Sequence, residues 1–153
     1  MGDAIEIRRA ARADADAIAV LFDAYRQFYR RSPDLAGARA FIGERLARDE
    51  SIIFLAEASG AALGFAQLYP SFTSAGMARI FILNDLFVTP HARGRGVATE
   101  LLRRAAEFGL AQGAVRLTLS TATDNRAAQA VYERAGWQRD DAFLVYQLAL
   151  ERV

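Results

Sequence analysis

Apolar positions recur along the chain at two spacings, and the switches between them mark the elements. Ile5-Glu6-Ile7 alternates and predicts a short first strand. From Ala13 to Arg30 the spacing is helical, with Ile18, Leu21, Phe22, Tyr25, Phe28 and Tyr29 on one face. Asp14 or Asp16 favours the start of that helix by its charge, and Ser32-Pro33-Asp34 ends it. A second amphipathic helix is expected from Ala36 to Arg48, with Phe41, Ile42 and Leu46 inward. The period then changes to two. Ile52 to Ala56 and Leu63 to Tyr69 read as a hairpin turning at Ser59-Gly60, and Arg79 to Val88 reads as a long apolar strand. Val97, Leu101, Leu102, Ala105 and Phe108 restore the helical spacing, which stops around Gln112-Gly113. Val115 to Ser120 alternates again. Asp124 or Asn125 caps a helix that runs to Ala135, with Gly136 just past its end. Phe143 to Leu150 is expected to be the closing strand. The order β-α-α-β-β-β-α-β-α-β predicts an α/β fold, a single three-layer domain over residues 1–153 with a mixed central sheet.

The stretch VTPHARGRGVATELL, Val88 to Leu102, joins a strand to a helix through two glycines and two arginines. The first N–H groups of a helix have no partners within it, and the helix dipole adds partial positive charge there. Glycine lets an anion come close to those groups. Arg93 to Thr99 therefore reads as a phosphate cradle, although an Arg-Gly stretch can also be a solvated turn. A P-loop would need a lysine. A dinucleotide-binding loop would need a third glycine where Thr99 stands, and would follow the first strand of a βαβ unit, whereas a hairpin precedes this loop.

Composition removes further classes of chemistry. All 19 basic residues are arginine, so no Schiff-base lysine exists. There is no cysteine, hence no thiolate nucleophile, disulfide or cysteine zinc site. His91 is the sole histidine, which excludes a multi-histidine metal site, and no metal is expected. The net charge of +1 makes no case for nucleic acid or an anionic membrane. No apolar run approaches the roughly 20 residues of a membrane span. The N-terminus shows no apolar signal region, so a cytoplasmic location is expected.

Two spaced motifs carry a family resemblance. Arg93, Gly96 and Ala98 follow the pattern Arg or Gln, two residues, Gly, one residue, Gly or Ala. Asn125, Ala128, Tyr132 and Gly136 follow a second pattern, an Asn near a helix start, a Tyr seven residues on, and a Gly after it. Together with the element order, these resemble the GNAT family of N-acetyltransferases over essentially the whole chain. The resemblance implies an acetyl-CoA-dependent enzyme with acetyl-CoA as cosubstrate and an amine of a small molecule as acceptor. It implies that the main chain around Gly94, Arg95, Gly96, Val97, Ala98 and Thr99 binds the coenzyme pyrophosphate. It further implies that the main chain of Leu86, Phe87 and Val88 pairs with the pantetheine arm, and that the Leu86 N–H polarises the acetyl carbonyl. Tyr132 would stand beside the coenzyme sulfur as proton donor. Many relatives dimerise, and an exposed apolar edge would fit a homodimer.

Several residues keep more than one reading. Asp85 lies in the apolar run Ile80 to Val88, where a carboxylate is costly unless paired or functional. It could bind a cationic acceptor, act as general base, or form an ion pair with Arg79 or Arg116. The strand resembles the diamine and polyamine acetyltransferase branch, but Asn84 stands where that branch has the first of two acids. Asn125 could meet the pantetheine or merely cap its helix. It shares a helical stripe with Tyr132, about 10.5 Å along the axis. Tyr25, Phe28 and Tyr29, with Tyr69 and Phe72, are acceptor candidates, and such a stripe can equally be core. A non-catalytic acyl-CoA sensor and an acetyltransferase of a protein or peptide amine remain alternatives.

Overall fold

Why the first two helices pack together is set by a buried acid. In a computed structural model, which describes residues 4–151, α1 (Ala15–Phe28) and α2 (Leu35–Ala47) follow a short strand β1 (Glu6–Arg9). Asp23 on α1 is buried, yet its oxygens accept from the Arg26 guanidinium (2.9 Å), the Gln27 amide (3.3 Å) and the Asp34 N–H (3.0 Å). The Asp34 side chain in turn accepts the Gly37 N–H at 2.9 Å and caps α2. One carboxylate thus holds the connection, and the next starts the second helix.

The sheet is mixed and runs in the order β1-β2-β3-β4-β5, with β2 at Ile52–Ala58, β3 at Ala61–Thr73, β4 at Ala78–Val88 and β5 at Leu117–Thr118. Only β4 and β5 are parallel. The β2–β3 turn needs left-handed backbone at both Ser59 (φ 50°) and Gly60 (φ 77°), as a two-residue hairpin loop does. Pro70 stands in β3 beyond Leu68, its last residue paired with β2, where one side of the strand is free and a missing N–H costs little. The two faces of the sheet carry separate cores. Ile18, Leu21, Ile42 and Leu46 of α1 and α2 pack on Ile53, Leu55, Phe65 and Phe87. On the other face α3 (Val97–Ala111) sets Val97, Leu101, Leu102 and Ala105 against Phe54, Leu68, Phe81 and Leu83. These are the expected three layers, with Val131 and Tyr132 of α4 (Arg126–Arg134) packed against the second of these cores.

Three expectations need correction. The alternating stretch Val115 to Ser120 pairs only at Leu117 and Thr118. The expected closing strand, Phe143 to Leu150, is paired with nothing in the described sheet, and its side chains stand in solvent. Alternation identifies a segment able to be a strand but does not supply the edge it needs. Phe41, expected inward, is partly exposed and stacks on the Phe22 ring at 5.5 Å. No helix among the described residues is long and apolar enough to cross a membrane.

Candidate active site

A bulge in β4 organises the site. Gln67 of β3 faces Asp85 while Leu68 faces Leu83, so Asn84 is the extra residue on β4. An extra residue reverses the alternation on either side of it. Before the bulge, the Phe81 N–H points toward β5 and donates to the Arg116 carbonyl at 3.3 Å. After it, the Thr89 N–H donates to Leu63 on β3 at 2.8 Å, which leaves the main-chain groups of Leu86 and Val88 facing away from β3. Nothing in β5 meets them, because the β4–β5 pairing ends at Ile82 and Thr118. Side chains reverse as well. Phe81 and Leu83 join the α3 core, while Phe87 joins the α1/α2 core.

The two parallel strands therefore part, and a cleft of about 680 Å³ opens between the end of β4, the start of α3 and the inner face of α4. Leu86, Phe87 and Val88 line it along β4. Arg93, Gly94, Gly96, Val97, Ala98 and Thr99 line it at the start of α3. Gly94 (φ 75°) and Gly96 (φ 80°) both take left-handed backbone, and a Cβ on either would meet no protein atom within 4 Å. The bends need glycine, and the space beyond them is open. Gly96 is the N-cap of α3 and offers no side-chain acceptor, so the first N–H groups of α3 are left for an anion. Arg93 is held in place: its Nε donates to the Val88 carbonyl at 3.0 Å, and its guanidinium lies 5.8 Å from the rings of Phe28 and Phe87. Arg95 is exposed and does not line the cleft.

Asn125, Ala128 and Tyr132 line the opposite wall from α4. The Asn125 side chain caps α4, accepting the Ala128 N–H at 3.2 Å. Capping uses its carbonyl oxygen, so the amide nitrogen remains a spare donor. The Tyr132 ring packs 6.1 Å from Trp137, and its hydroxyl makes no hydrogen bond among the described residues. Burial, and secondarily Tyr29, pushes that hydroxyl above the ordinary tyrosine value, so it stays protonated at neutral pH.

Tyr25, Phe28 and Tyr29 form the mouth at the α1 end, with Tyr25 and Tyr29 edge to face at 5.0 Å. The Tyr25 hydroxyl donates to the Asn84 carbonyl at 3.3 Å, directly at the bulge. Asp85 is buried behind them and does not line the cleft. Its oxygens accept from the Gln67 amide (2.6 Å) and the Asn84 amide (3.2 Å). Burial raises its carboxyl above the usual carboxylate range, against the lowering effect of its polar neighbours Gln67, Tyr25 and Asn84. The ion-pair reading with Arg79 or Arg116 is not met: no ion pair reaches Asp85 among the described residues, and Arg79 lies over the rings of Phe72 and Phe81. Tyr69 is pushed up to about 12 by burial, then by the nearby Asp85 charge. Phe72 is exposed on β3 away from the cleft, and His91 is exposed beside the glycine loop.

The bulge and Gln67 were not anticipated. The signal for the bulge was present in Asn84-Asp85, two adjacent polar residues interrupting an apolar run, which is where an alternating pattern slips by one. Among the described residues no cluster of three or more His, Cys, Asp or Glu could hold a metal.

The chain resembles known proteins in sequence and in fold. Residues 18–137 match the profile of the acetyltransferase (GNAT) family. The chain belongs to that family. A Bacillus subtilis protein, the uncharacterized N-acetyltransferase YhfO, is 49% identical over 144 residues, covering 94% of this chain and 97% of its own. A crystal structure of a probable acetyltransferase has a TM-score of 0.91 at 41% identity, covering 96% of this chain and 99% of that one. The fold also matches an aminoglycoside N-acetyltransferase, AAC(6')-Iy, in complex with CoA, with a TM-score of 0.83 at 22% identity over 98% of both chains. This GNAT protein is an acetyl-CoA-dependent N-acetyltransferase.

Proposed function

We propose that the protein acetylates the amine of a small molecule held at the aromatic mouth beside Tyr25, Phe28 and Tyr29. The observation that carries this reading is the cleft itself, open from the α3 glycine loop along β4 to that mouth. The N–H groups from Gly94 to Thr99 would hold the pyrophosphate, with Arg93 adding charge and Arg95 contributing only from outside. The main-chain groups of Leu86 and the Val88 N–H, the Val88 carbonyl being taken by Arg93, would pair with the pantetheine arm, which brings the thioester to the bulge. The Leu86 N–H would then polarise the acetyl carbonyl.

In the transfer, the amine nitrogen forms a bond to the carbonyl carbon and the carbon–sulfur bond breaks. The electron pair leaves with sulfur, to which Tyr132 donates a hydrogen bond. The amine gives up its proton to solvent at the mouth. Asp85 acts as a positioning residue, since it reaches the mouth only through Tyr25 and Asn84. Asn125, which keeps a spare amide donor, lines the same cleft.

The lining contains Arg93 and Arg134 but no Asp or Glu. A polycation would find no exposed carboxylate there, and Asn84 already departs from the polyamine pattern. We therefore favour an acceptor with a single amine over polyamines and aminoglycosides, although the 27% identical Salmonella typhimurium relative is named an aminoglycoside N(6')-acetyltransferase. Release of free coenzyme A should be measured over amino acids, simple monoamines, polyamines, aminoglycosides and peptides. Turnover with a monoamine is expected. Turnover confined to polycations or to peptides overturns the acceptor class, and coenzyme binding with no turnover on any amine favours the sensor reading.

A further inference from the structure

Arg93 is anchored on the acceptor side of the sheet. Its Nε donates to the Val88 carbonyl at 3.0 Å, and its guanidinium lies 5.8 Å from the rings of Phe28 and Phe87. Phe28 ends α1 at the mouth of the cleft. Phe87 belongs to the core under α1 and α2, on the face of the sheet opposite α3. The side chain therefore turns from the glycine loop toward α1. Among the described residues its two Nη nitrogens make no hydrogen bond, and no carboxylate pairs with it. An arginine tied through Nε, with both Nη groups free, presents the planar fork that takes a carboxylate through two parallel bonds.

The strand beneath it sets a span. Leu86, whose N–H would polarise the acetyl carbonyl, stands two residues before Val88, whose carbonyl anchors Arg93. Two residues of strand are about 7 Å long. That length holds a contact at each end and only a short spacer between them. An amine and a carboxylate on one carbon fit it, and a long chain between the two groups does not. The rings of Phe28 and Tyr29 line the same mouth and are exposed, although both are large and apolar. Rings of that kind in a concave site suit an apolar ligand group.

Building on the small-amine acceptor proposed above, we infer that the acceptor is an α-amino acid with an apolar side chain. The Arg93 guanidinium holds its carboxylate, and the rings of Phe28 and Tyr29 take its side chain. The amine is then left beside the bulge, where the thioester would lie. Among the lining residues no Asp or Glu repels the carboxylate, and Arg134 adds a second cation that pairs with no acid among the described residues. Arg93 is exposed, so its hold on the carboxylate weakens as salt rises.

Coenzyme A release should be measured with leucine, methionine and phenylalanine, each against its own carboxamide. The acid should be preferred in kcat/KM by roughly 10- to 100-fold, the range of a hydrogen bond to a charged group. The carboxamide carries the less basic amine, which by itself favours it, so a preference for the acid reports the carboxylate. Arg93→Gln keeps a hydrogen-bonding side chain that the first motif allows and removes the charge. It should cut the acid-to-carboxamide ratio by about tenfold or more. Both substrates meet the same enzyme, so any loss of fold or of coenzyme affinity cancels in that ratio. A ratio left unchanged by Arg93→Gln, with both rates lowered alike, assigns Arg93 to the coenzyme and overturns the carboxylate site. Carboxamides turned over as well as the acids overturn it too, while leaving the small-amine acceptor intact. Coenzyme binding with no turnover on any amine removes the small-amine acceptor itself, and the amino acid with it.

Discussion

Tyr132 lines the cleft, its hydroxyl makes no hydrogen bond among the described residues, and burial holds its proton more tightly than in water. A phenol raised above 10 is a poor full acid toward a thiolate with a pKa near 8.5, but a dependable hydrogen-bond donor. Tyr132→Phe keeps the ring on Trp137 and removes only that donor. We expect kcat to fall by roughly 10²-fold with coenzyme affinity unchanged. Near-normal kcat in steady-state kinetics would return Tyr132 to a packing role. Asp85 makes a different prediction because its folded pKa is raised. The folded protein holds this proton to higher pH than the unfolded chain, whose Asp titrates near 3.9. Its contribution to stability is therefore complete below about pH 3.9 and is lost as pH rises through the folded value. Asp85→Asn removes the titration, and the unpartnered Gln67 Oε1 can accept from the new amide. The melting temperature of the variant should gain on the parent as the pH rises above about 4. Parallel curves would show that Asp85 carries no such burial cost.

At the level of elements, most of the fold was legible because each helix and paired strand has its own period. The second motif was legible too, since Asn125 and Tyr132 do share the α4 wall. What periodicity could not show was pairing: the two-residue β5, the unpaired Phe143 to Leu150, and the Asn84 bulge all depend on a neighbouring strand. The junction of β4 and α3 was legible as a glycine-rich entry to a helix, but its glycines have a conformational reason that spacing does not reveal. Gly60 in the β2–β3 turn serves as a control, with φ 77° against 80° at Gly96 and open space at both. Alanine in left-handed backbone costs about 1–2 kcal/mol at either place. Gly96→Ala and Gly60→Ala should therefore destabilise similarly. Only Gly96→Ala should weaken acetyl-CoA, by at least about tenfold in calorimetry. Equal coenzyme affinity in the two variants would detach the loop from phosphate binding.

Across the whole molecule, the two walls of the cleft are unequally held. The β4 wall belongs to the central sheet, with both faces covered by buried side chains. The opposite wall, α4, has no buried residue, and it is tied to the sheet through a β5 of two paired residues. Local stability follows buried apolar contacts, so this second wall should open more readily than the sheet. A ligand that touches both walls binds only the closed arrangement and stabilises it in proportion to its concentration over Kd. Hydrogen exchange should therefore be slow in β2, β3 and β4 without ligand and markedly faster from Leu117 to Gly136. Saturating acetyl-CoA should slow exchange most in Arg126–Arg134 and in the first turn of α3, and hardly at all in β1 and β2. Protection spread evenly over the sheet, or confined to the start of α3, would mean that α4 is not the second wall and that Asn125 and Tyr132 face the cleft without holding anything in it.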